Sequence, residues 1–237
     1  MGSTRLPGKV MLPLAGDHVI THDIRRVQSA ECITRTVVAT SERKADDIVA
    51  RYASRAGADV FRGSESDVLG RIYDAARSAD ADVIVRVTGD CPLIDPETID
   101  TAVQEVTLDN AQYATNILER TFSRGLDIEA FTFESFERVH EEATEPHHRE
   151  HVTPYYREES DTFTTRSVTA EDVFDDPKFQ NRNDLRLTLD EADDYEVLRM
   201  IYESISFEET LPIREAIRYV DENDLMDLNA AVEQKSH

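Results

Sequence analysis

The sequence predicts an α/β fold in which a largely parallel sheet is packed between helices. Short apolar stretches typical of buried strands alternate with longer stretches whose apolar residues recur at helical spacing. This alternation is the pattern of consecutive strand–helix–strand units, which form parallel sheets. A length of 237 residues suits one domain with a full hydrophobic core. The predicted strands in the first hundred residues are 36–39, 59–61 and 83–87, and the helical stretches between them are 45–56 and 68–79.

Flanking residues support several of these elements. The first of the two helices stops at Gly57, since glycine is common just after a helix end. Asp95 and Pro96 form an N-cap followed by a proline at the first helical position, so another helix begins there. Ahead of the first strand, residues 10–14 are apolar, and 19–27 carry apolar side chains at helical spacing.

The second half of the chain is less regular. Apolar residues that alternate or run together predict strands at 113–116, 126–133, 163–168 and 185–189. Helical spacing predicts helices near 136–140, at 147–158 with an interruption at Pro154, directly after 185–189, and at 213–232. No repeat, linker or low-complexity segment divides the chain. We therefore expect a single domain over 1–237, with a less regular lobe at 111–180.

The chain is strongly acidic, with 49 Asp and Glu residues against 26 Lys and Arg residues and a net charge of -23. A field of this sign opposes binding to nucleic acids and to anionic membranes. The acidic residues are spread along the whole chain, which argues against a disordered acidic tail. Because concentrated salt screens self-repulsion, we expect a protein from a halophile that accumulates salt. The alternative is an ordinary acidic protein.

Neither a membrane nor an oxidising compartment is indicated. No stretch approaches the length of apolar sequence that a spanning helix needs, and the polar N-terminus does not resemble a signal peptide. The two cysteines, Cys32 and Cys91, do not make a disulfide framework. We expect a cytoplasmic protein.

The first nine residues, MGSTRLPGK, combine the components of a phosphate-binding loop. Gly2 and Gly8 let backbone N–H groups approach a ligand closely, and the hydroxyl of Ser3 adds a donor. Arg5 and Lys9 supply positive charge. The spacing is not that of the Walker motif. The alternative is a solvated N-terminus that contains a Pro-Gly turn.

Two aspartates follow predicted strands, where ligands bind in open α/β sheets. Asp90 lies in a turn after the strand at 83–87, and Asp190 follows the strand at 185–189. Two carboxylates from separate strand ends suit Mg²⁺, which prefers oxygen ligands. Alternatively, Asp90 bonds its own turn and Asp190 caps a helix. Together with a cationic loop, however, the two aspartates complete one plausible site.

Three histidines form a second group of interest. His147, His148 and His151 are spaced so that helical side chains lie near one another. A zinc site is conceivable, but the sequence offers no third ligand in clear register. Histidines that form hydrogen bonds or face a substrate are the preferred interpretation.

The loop and the aspartate turn carry a family resemblance. Ser3 to Lys9 (STRLPGK) resembles the nucleotide loop of cytidylyltransferases that make CMP-activated sugar acids, especially the 3-deoxy-manno-octulosonate cytidylyltransferases. Gly89 to Ile94 (GDCPLI) resembles the metal turn of the same family. Further stretches are similar to the spore-coat-polysaccharide (SpsF-type) branch, and they are 61–69, 124–129, 149–154 and 186–190.

The resemblance implies a nucleotide-diphospho-sugar transferase fold of GT-A type, with a mixed, mainly parallel sheet flanked by helices. It implies a Mg²⁺-dependent transfer of CMP from CTP to a sugar acid, with release of pyrophosphate, for surface polysaccharide or glycan synthesis. It also implies that the protein is often a homodimer and that 111–180 serves acceptor binding or dimerisation.

The same resemblance assigns residues to three groups. Those expected at the nucleotide are Gly2, Ser3, Thr4, Arg5, Lys9, Ser64, Asp67, Val68 and Arg86. Those expected to act in catalysis are Arg5, Lys9, Asp90 and Asp190, of which Asp90 and Asp190 hold Mg²⁺. Those expected toward the acceptor are Arg124, Asp127, Glu129 and His151.

The chain departs from the family pattern at its start. Family members carry an apolar strand and an arginine ahead of this loop, whereas Met1 lies within the motif. Because such a strand would be buried, we expect the natural protein to begin upstream of Met1. Two other functions stay open: a nucleotidyltransferase that uses another nucleotide or acceptor, and a catalytically weakened nucleotide-binding homologue.

Overall fold

The computed structural model describes residues 2–3 and 5–233. Short 3₁₀ helices separate some of the main elements, and they lie at Lys9–Met11, Lys44–Asp46, Ala170–Asp172, Pro177–Phe179 and Leu225–Asp227. The strands are β1 (Pro13–Leu14), β2 (Asp17–His18), β3 (Val37–Ser41), β4 (Asp59–Gly63), β5 (Val83–Arg86), β6 (Tyr113–Thr115), β7 (Glu129–Thr132) and β8 (Thr165–Ser167). The helices are α1 (Val19–Gln28), α2 (Asp47–Arg55), α3 (Val68–Ser78), α4 (Pro96–Thr107), α5 (Phe133–Glu142), α6 (Pro146–His151), α7 (Pro154–Glu158), α8 (Ala192–Ser204) and α9 (Ile213–Glu222).

The α/β class predicted from the sequence is confirmed, and the pairing of strands is more mixed than expected. β3 and β4 are parallel, and a four-stranded sheet has the order β5-β7-β6-β8. In that sheet β6 and β8 are parallel, whereas β7 is antiparallel to both β5 and β6. A parallel return needs a long crossover, usually a helix. The β6–β7 connection contains no helix, so β7 returns in the opposite direction.

Helix starts follow the capping residues in the sequence. Asp95 caps α4, because its Oδ2 accepts a hydrogen bond from the Thr98 amide at 3.0 Å and Pro96 takes the first helical position. Thr132 caps α5 in the same way through the Ser135 amide, at 3.2 Å. These side chains satisfy amides that a helix leaves without partners.

The predicted strand at 185–189 is instead an extended segment with a single bridge, between Arg186 and Arg124. Its leucines are buried, which explains the strand-like pattern. The segment changes neighbours along its length, so no continuous ladder forms. The Leu187 amide donates to the carbonyl of Arg124 at 2.7 Å, and the Leu189 amide donates to the carbonyl of Asp90 at 2.8 Å. This change of partner brings Asp190 beside Asp90.

The predicted C-terminal helix over 213–232 is shorter than expected. It ends at Glu222, where Asn223 and the left-handed Asp224 (φ 51°) interrupt it, and a 3₁₀ helix follows. The predicted helix at 147–158 is interrupted as expected, and it forms α6 and α7.

The main hydrophobic core joins α1, α4, α8 and α9 to the buried leucines of 185–189. A second cluster packs α3 and α5 against the four-stranded sheet.

Within the described residues, β3 pairs with β4 alone and β5 with β7 alone. The expectation that a further strand precedes Met1 stays a prediction. In residues 2–3 and 5–233, no helix combines the length and hydropathy needed to cross a bilayer.

Candidate active site

Three charged residues that are far apart in the sequence meet at one point. The Nζ atom of Lys9 donates to Oδ2 of Asp90 at 2.5 Å and to Oδ1 of Asp190 at 2.8 Å. All three side chains are partly exposed, so the group is accessible to a ligand. The two carboxylates therefore converge on the ammonium group of Lys9. That they share Mg²⁺ stays a prediction.

The loop that carries Lys9 turns at Gly8. Gly8 has φ 74°, a left-handed conformation that glycine adopts without strain. Its carbonyl accepts from the Met11 amide at 2.8 Å, so a 3₁₀ helix begins directly at Lys9. Earlier in the loop, Oγ of Ser3 accepts from the Leu6 amide at 3.3 Å. The loop thus folds on itself and presents Lys9 from a structured turn.

Asp90 is held in the turn after β5 by two different groups. The hydroxyl of Thr88 donates to its Oδ1 at 2.6 Å, and its backbone carbonyl accepts from the Leu189 amide at 2.8 Å. The first bond orients the carboxylate, and the second ties this turn to the segment that leads to Asp190.

Asp190 is held by two arginines and by a buried aspartate. Nη2 of Arg186 lies 2.8 Å from its Oδ2, and Nη2 of Arg5 lies 3.1 Å from the same oxygen. The Asp190 amide donates to Asp194 at 2.9 Å. Asp194 is 0% exposed and also accepts from Arg186 and Asn229. Hydrogen-bonded networks of this kind fix the geometry of the groups they contain.

Arg186 and Asp194 were not among the predicted site residues. Arg186 lies four residues before Asp190, and Asp194 lies four residues after it. Asp190 was the possible helix cap in the sequence, whereas in the structure it is the carboxylate of Asp194 that accepts from the Glu191 amide, at 3.0 Å near the start of α8. Their spacing of four residues on either side of Asp190 is the signal by which the sequence could have indicated them.

The charges in the group stabilise one another. Burial disfavours the charged form of Lys9, but Asp90 and Asp190 outweigh that effect and raise the pKa of its ammonium group. Burial also disfavours the charged form of Asp190, but Lys9, Arg186 and Arg5 more than offset it, so the pKa of this carboxyl is lowered. Both shifts favour the charged forms of Lys9 and Asp190. Two carboxylates that converge on one cation are a donor set that fits Mg²⁺.

Among the remaining residues of the predicted nucleotide loop, Gly2 lies close to the 64–68 stretch. A Cβ added to Gly2 would lie 3.5 Å from Oε1 of Glu65. Thr4 lies outside the described residues. Arg5 reaches both Asp190 and Glu191, and so connects the loop to the start of α8.

In the 64–68 stretch, each polar side chain has a partner within the fold. Oγ of Ser64 accepts from the Asp67 amide at 3.0 Å. Asp67 caps α3 through the Gly70 amide at 2.9 Å, and Val68 is the first residue of that helix. Asp67 also binds Arg149 with both oxygens, at 2.8 and 2.6 Å. The pKa of Asp67 is lowered, because bonds from Arg149 and the Gly70 amide outweigh burial.

Arg86 and Glu129, expected at different parts of the site, form one ion pair. They face each other across β5 and β7, and Nη1 of Arg86 donates to Oε2 of Glu129. The other oxygen of Glu129 accepts from the hydroxyl of Tyr113 at 2.7 Å. Glu129 is buried, at 3% exposure. Both of its oxygens are therefore already engaged within the sheet.

The Arg124 side chain differs from its neighbours in its pairing. Arg120 binds Asp127 with two bonds, at 2.6 and 3.2 Å. In the part of the chain that the structure describes, no carboxylate forms an ion pair with Arg124. Burial and the nearby charges of Arg120 and Arg186 lower its pKa. Its backbone forms hydrogen bonds with Leu185 and Leu187, in the segment before Asp190. His151, which was also expected toward the acceptor, is the last residue of α6 and is half-buried.

Comparison with known proteins identifies the family. A family model described as cytidylyltransferase matches residues 1–223. The chain is 31% identical to the spore coat polysaccharide biosynthesis protein SpsF of Bacillus subtilis, over 94% of this chain and 91% of the relative. It is 38% identical to a 3-deoxy-manno-octulosonate cytidylyltransferase of Trichlorobacter lovleyi over 44% of this chain and 40% of the relative. A solved cytidylyltransferase from Leptospira borgpetersenii superposes with a TM-score of 0.88 at 33% identity, covering 100% of this chain and 95% of that one.

Proposed function

Because the chain belongs to the cytidylyltransferase family, we propose that it transfers CMP from CTP to a sugar acid, with Mg²⁺ and with release of pyrophosphate. The observation that carries this proposal is the position of Lys9 between Asp90 and Asp190. One point of the molecule thus offers a cation for phosphate oxygens and two carboxylates for a metal ion. That combination is what nucleotidyl transfer requires.

In this proposal, the protein acts by positioning the reactants and balancing charge. The acceptor hydroxyl attacks the α-phosphorus in line. A new O–P bond forms, the bond to pyrophosphate breaks, and the hydroxyl proton is released to solvent. Lys9 and Arg5 stabilise the negative charge on the departing pyrophosphate. Asp90 and Asp190 hold Mg²⁺, which when bound neutralises charge on the phosphate oxygens. We assign to nucleotide binding Gly2, Ser3, Thr4, Ser64, Asp67, Val68 and Arg86.

The acceptor class is supported by Arg124. This arginine is partly buried in a chain of net charge -23 and has no ion pair among the described residues. A guanidinium in that state is suited to bind a carboxylate with two parallel bonds. We therefore assign it to the carboxylate of the sugar acid. Asp127, Glu129 and His151 complete the acceptor side, with Glu129 acting through the buried pair that it forms with Arg86.

Further parts of the proposal concern the setting of the reaction. The name of the Bacillus subtilis relative refers to spore coat polysaccharide, which supports a role in surface polysaccharide or glycan synthesis. A cytoplasmic homodimer is proposed on the family resemblance, with 111–180 as the acceptor and dimerisation lobe. Light scattering of the purified chain measures the mass directly, and a monomer at micromolar concentration contradicts the dimer.

The test is a screen for pyrophosphate release with four nucleoside triphosphates, several sugar acids and Mg²⁺, in high KCl. We expect release only with CTP, a sugar acid and Mg²⁺ together, and a CMP-sugar product by mass spectrometry. The matched negative control is Asp90→Asn, which keeps the shape of the side chain but removes the charge that Mg²⁺ requires.

Two alternatives predict different outcomes in the same screen. A nucleotidyltransferase of other specificity releases pyrophosphate with another nucleotide or with a neutral sugar. A catalytically weakened homologue binds CTP in calorimetry but releases no pyrophosphate with any acceptor. Either result contradicts the proposed reaction, and each points to a different use of the same site.

A further inference from the structure

We propose that His147, His148 and Glu158 form a binding site for a transition-metal ion of the zinc type, separate from the nucleotide site. Each residue offers a ligand atom, and these three atoms lie within 4.8 Å of one another. The sequence alone indicated only the histidines and lacked a third ligand. The structure supplies that ligand from α7, eleven residues after His147 in the sequence.

The three side chains are held together by two hydrogen bonds. Nε2 of His147 lies 2.9 Å from Oε1 of Glu158, and Nε2 of His148 lies 2.7 Å from Oε2. Glu158 thus places one oxygen toward each ring. Nδ1 of His148 is buried, and the described residues provide no hydrogen-bond partner for it.

A strained turn holds the third ligand in position. The Thr153 amide donates to the carbonyl of His151 at 2.9 Å across Val152, which has φ 76° and ψ -55°. This is a γ-turn of the rare, strained kind, and here its central residue is β-branched. Val152 is completely buried, so packing maintains the turn. The turn directs α7 back along α6 and brings Glu158 to the two histidines.

The ligand types indicate the metal. Imidazole nitrogens suit zinc and other late first-row ions, whereas Mg²⁺ and Ca²⁺ prefer oxygen ligands only. Two histidines and one glutamate are a known zinc ligand set, and three protein ligands leave one tetrahedral position for water. His147 and Glu158 are about half exposed, so an ion can enter from solvent.

A metal ion bound here would also stabilise residues 64–68, which are expected at the nucleotide. α6 also carries Arg149, which binds Asp67 at the start of α3 with two bonds. An ion that joins α6 to α7 would therefore restrain Arg149 and, through it, the 64–68 stretch. The site lies outside the Lys9, Asp90 and Asp190 group, so this inference does not depend on the proposed reaction.

The alternative is that the cluster only joins α6 to α7 by hydrogen bonds between histidine and glutamate. In that case Glu158→Gln lowers the melting temperature equally with and without zinc. If the site binds zinc, the ion raises the melting temperature of the wild-type chain, and Glu158→Gln removes that increase.

The test is calorimetric titration of the chelator-treated full chain with ZnCl₂, in excess Mg²⁺ to occupy the aspartate pair. We expect one zinc ion per chain. Glu158→Gln and His148→Ala should each weaken binding by more than about tenfold, since even outer partners of a metal ligand change affinity by about 10- to 100-fold. The matched control is Glu159→Gln, the exposed neighbour outside the cluster, which should change affinity less than twofold.

Two results would overturn the proposal. One is a wild-type chain that binds no zinc under these conditions. The other is zinc binding that survives Glu158→Gln but is lost in Asp90→Asn, which would place the ion at the aspartate pair instead.

Discussion

Lys9 connects the two aspartates of the candidate site, and its removal is the most direct test at the scale of single residues. We expect Lys9→Ala to lower kcat/KM by about 10²-fold or more, comparable to the loss of one preorganised donor at a transition state. The loss should be severe because the chain is strongly acidic and this ammonium is a local exception. Steady-state kinetics of pyrophosphate release measure it. The matched control is Lys44→Ala, an exposed lysine, and equal rates for the two variants would contradict the role of Lys9.

Asp194 supports a second prediction, which concerns stability. It is fully buried and paired with Arg186, which is 9% exposed. Arg186 also pairs with Asp190, so Asp194→Asn removes one of the carboxylates that face this buried arginine. Because the substitution breaks a buried ion pair, we expect it to lower the free energy of unfolding by about 3 kcal/mol, the lower end of the range for such a loss. Urea denaturation measures this change. Asp193→Asn is the control, because Asp193 is exposed and adjacent, and its effect should stay within about 0.5 kcal/mol.

At the scale of single residues, the sequence predicted those site residues whose type and position at a strand end indicate a role. Lys9, Asp90 and Asp190 were predicted as one site, and the structure brings them into contact. Partners across the fold were not predictable. Nothing near Asp67 in the sequence indicates Arg149, and nothing near Arg86 indicates Glu129, because these pairs depend on how helices and strands pack.

At the scale of elements, Gly125 controls how two segments of the site approach each other. It has φ 96°, and an added Cβ would lie 2.4 Å from the backbone nitrogen of Thr188. Thr188 in turn donates to the carbonyl of Asp90 at 3.3 Å. An alanine here therefore requires backbone movement directly beside both aspartates. Flexible side chains cannot relieve this contact, since the nearest atoms all belong to the backbone.

We expect Gly125→Ala to cost more than about 3 kcal/mol of stability, since it adds a backbone clash to the strain of a left-handed residue, and to reduce activity as well. The control is Gly16→Ala. Gly16 has φ 85°, but no atom lies within 4 Å of its added Cβ, so it reports the conformational cost alone, about 1–2 kcal/mol. Thermal and urea unfolding compare the two variants. Equal losses would show that the close approach at Thr188 is unimportant.

Periodicity predicted most elements but not their pairing. The helices α1, α2, α3 and α5 and the strands from β3 to β5 follow the apolar spacing of the sequence, and α4 follows its cap at Asp95 and Pro96. Each of these elements depends mainly on its own residues. The segment at 185–189 shows the alternating pattern of a strand, but it forms only one isolated β-bridge and no ladder of hydrogen bonds. Burial of its leucines is enough to produce the pattern. The direction of β7 depends on a connection without a helix, which periodicity does not determine.

At the scale of the whole molecule, the net charge of -23 predicts a dependence of stability on salt. Salt has two opposing electrostatic effects. It screens the repulsion among 49 acidic side chains, and it weakens ion pairs such as the exposed pair of Arg43 and Glu65. Exposed pairs contribute only about 0–1 kcal/mol each. The excess of acidic over basic residues is large, so relief of repulsion should dominate.

We therefore expect the melting temperature to rise with KCl, most steeply below about 1 M, where the Debye length falls to about 3 Å and screening is nearly complete. For a chain of this size, each kcal/mol of relieved repulsion raises the melting temperature by about 2–4 °C. Calorimetric scans from low to multimolar KCl measure the effect. Sucrose at matched osmolality is the control, since it favours compact states by exclusion without screening charge. A melting temperature that is independent of KCl, or that rises equally in sucrose, would contradict adaptation of this surface to high salt.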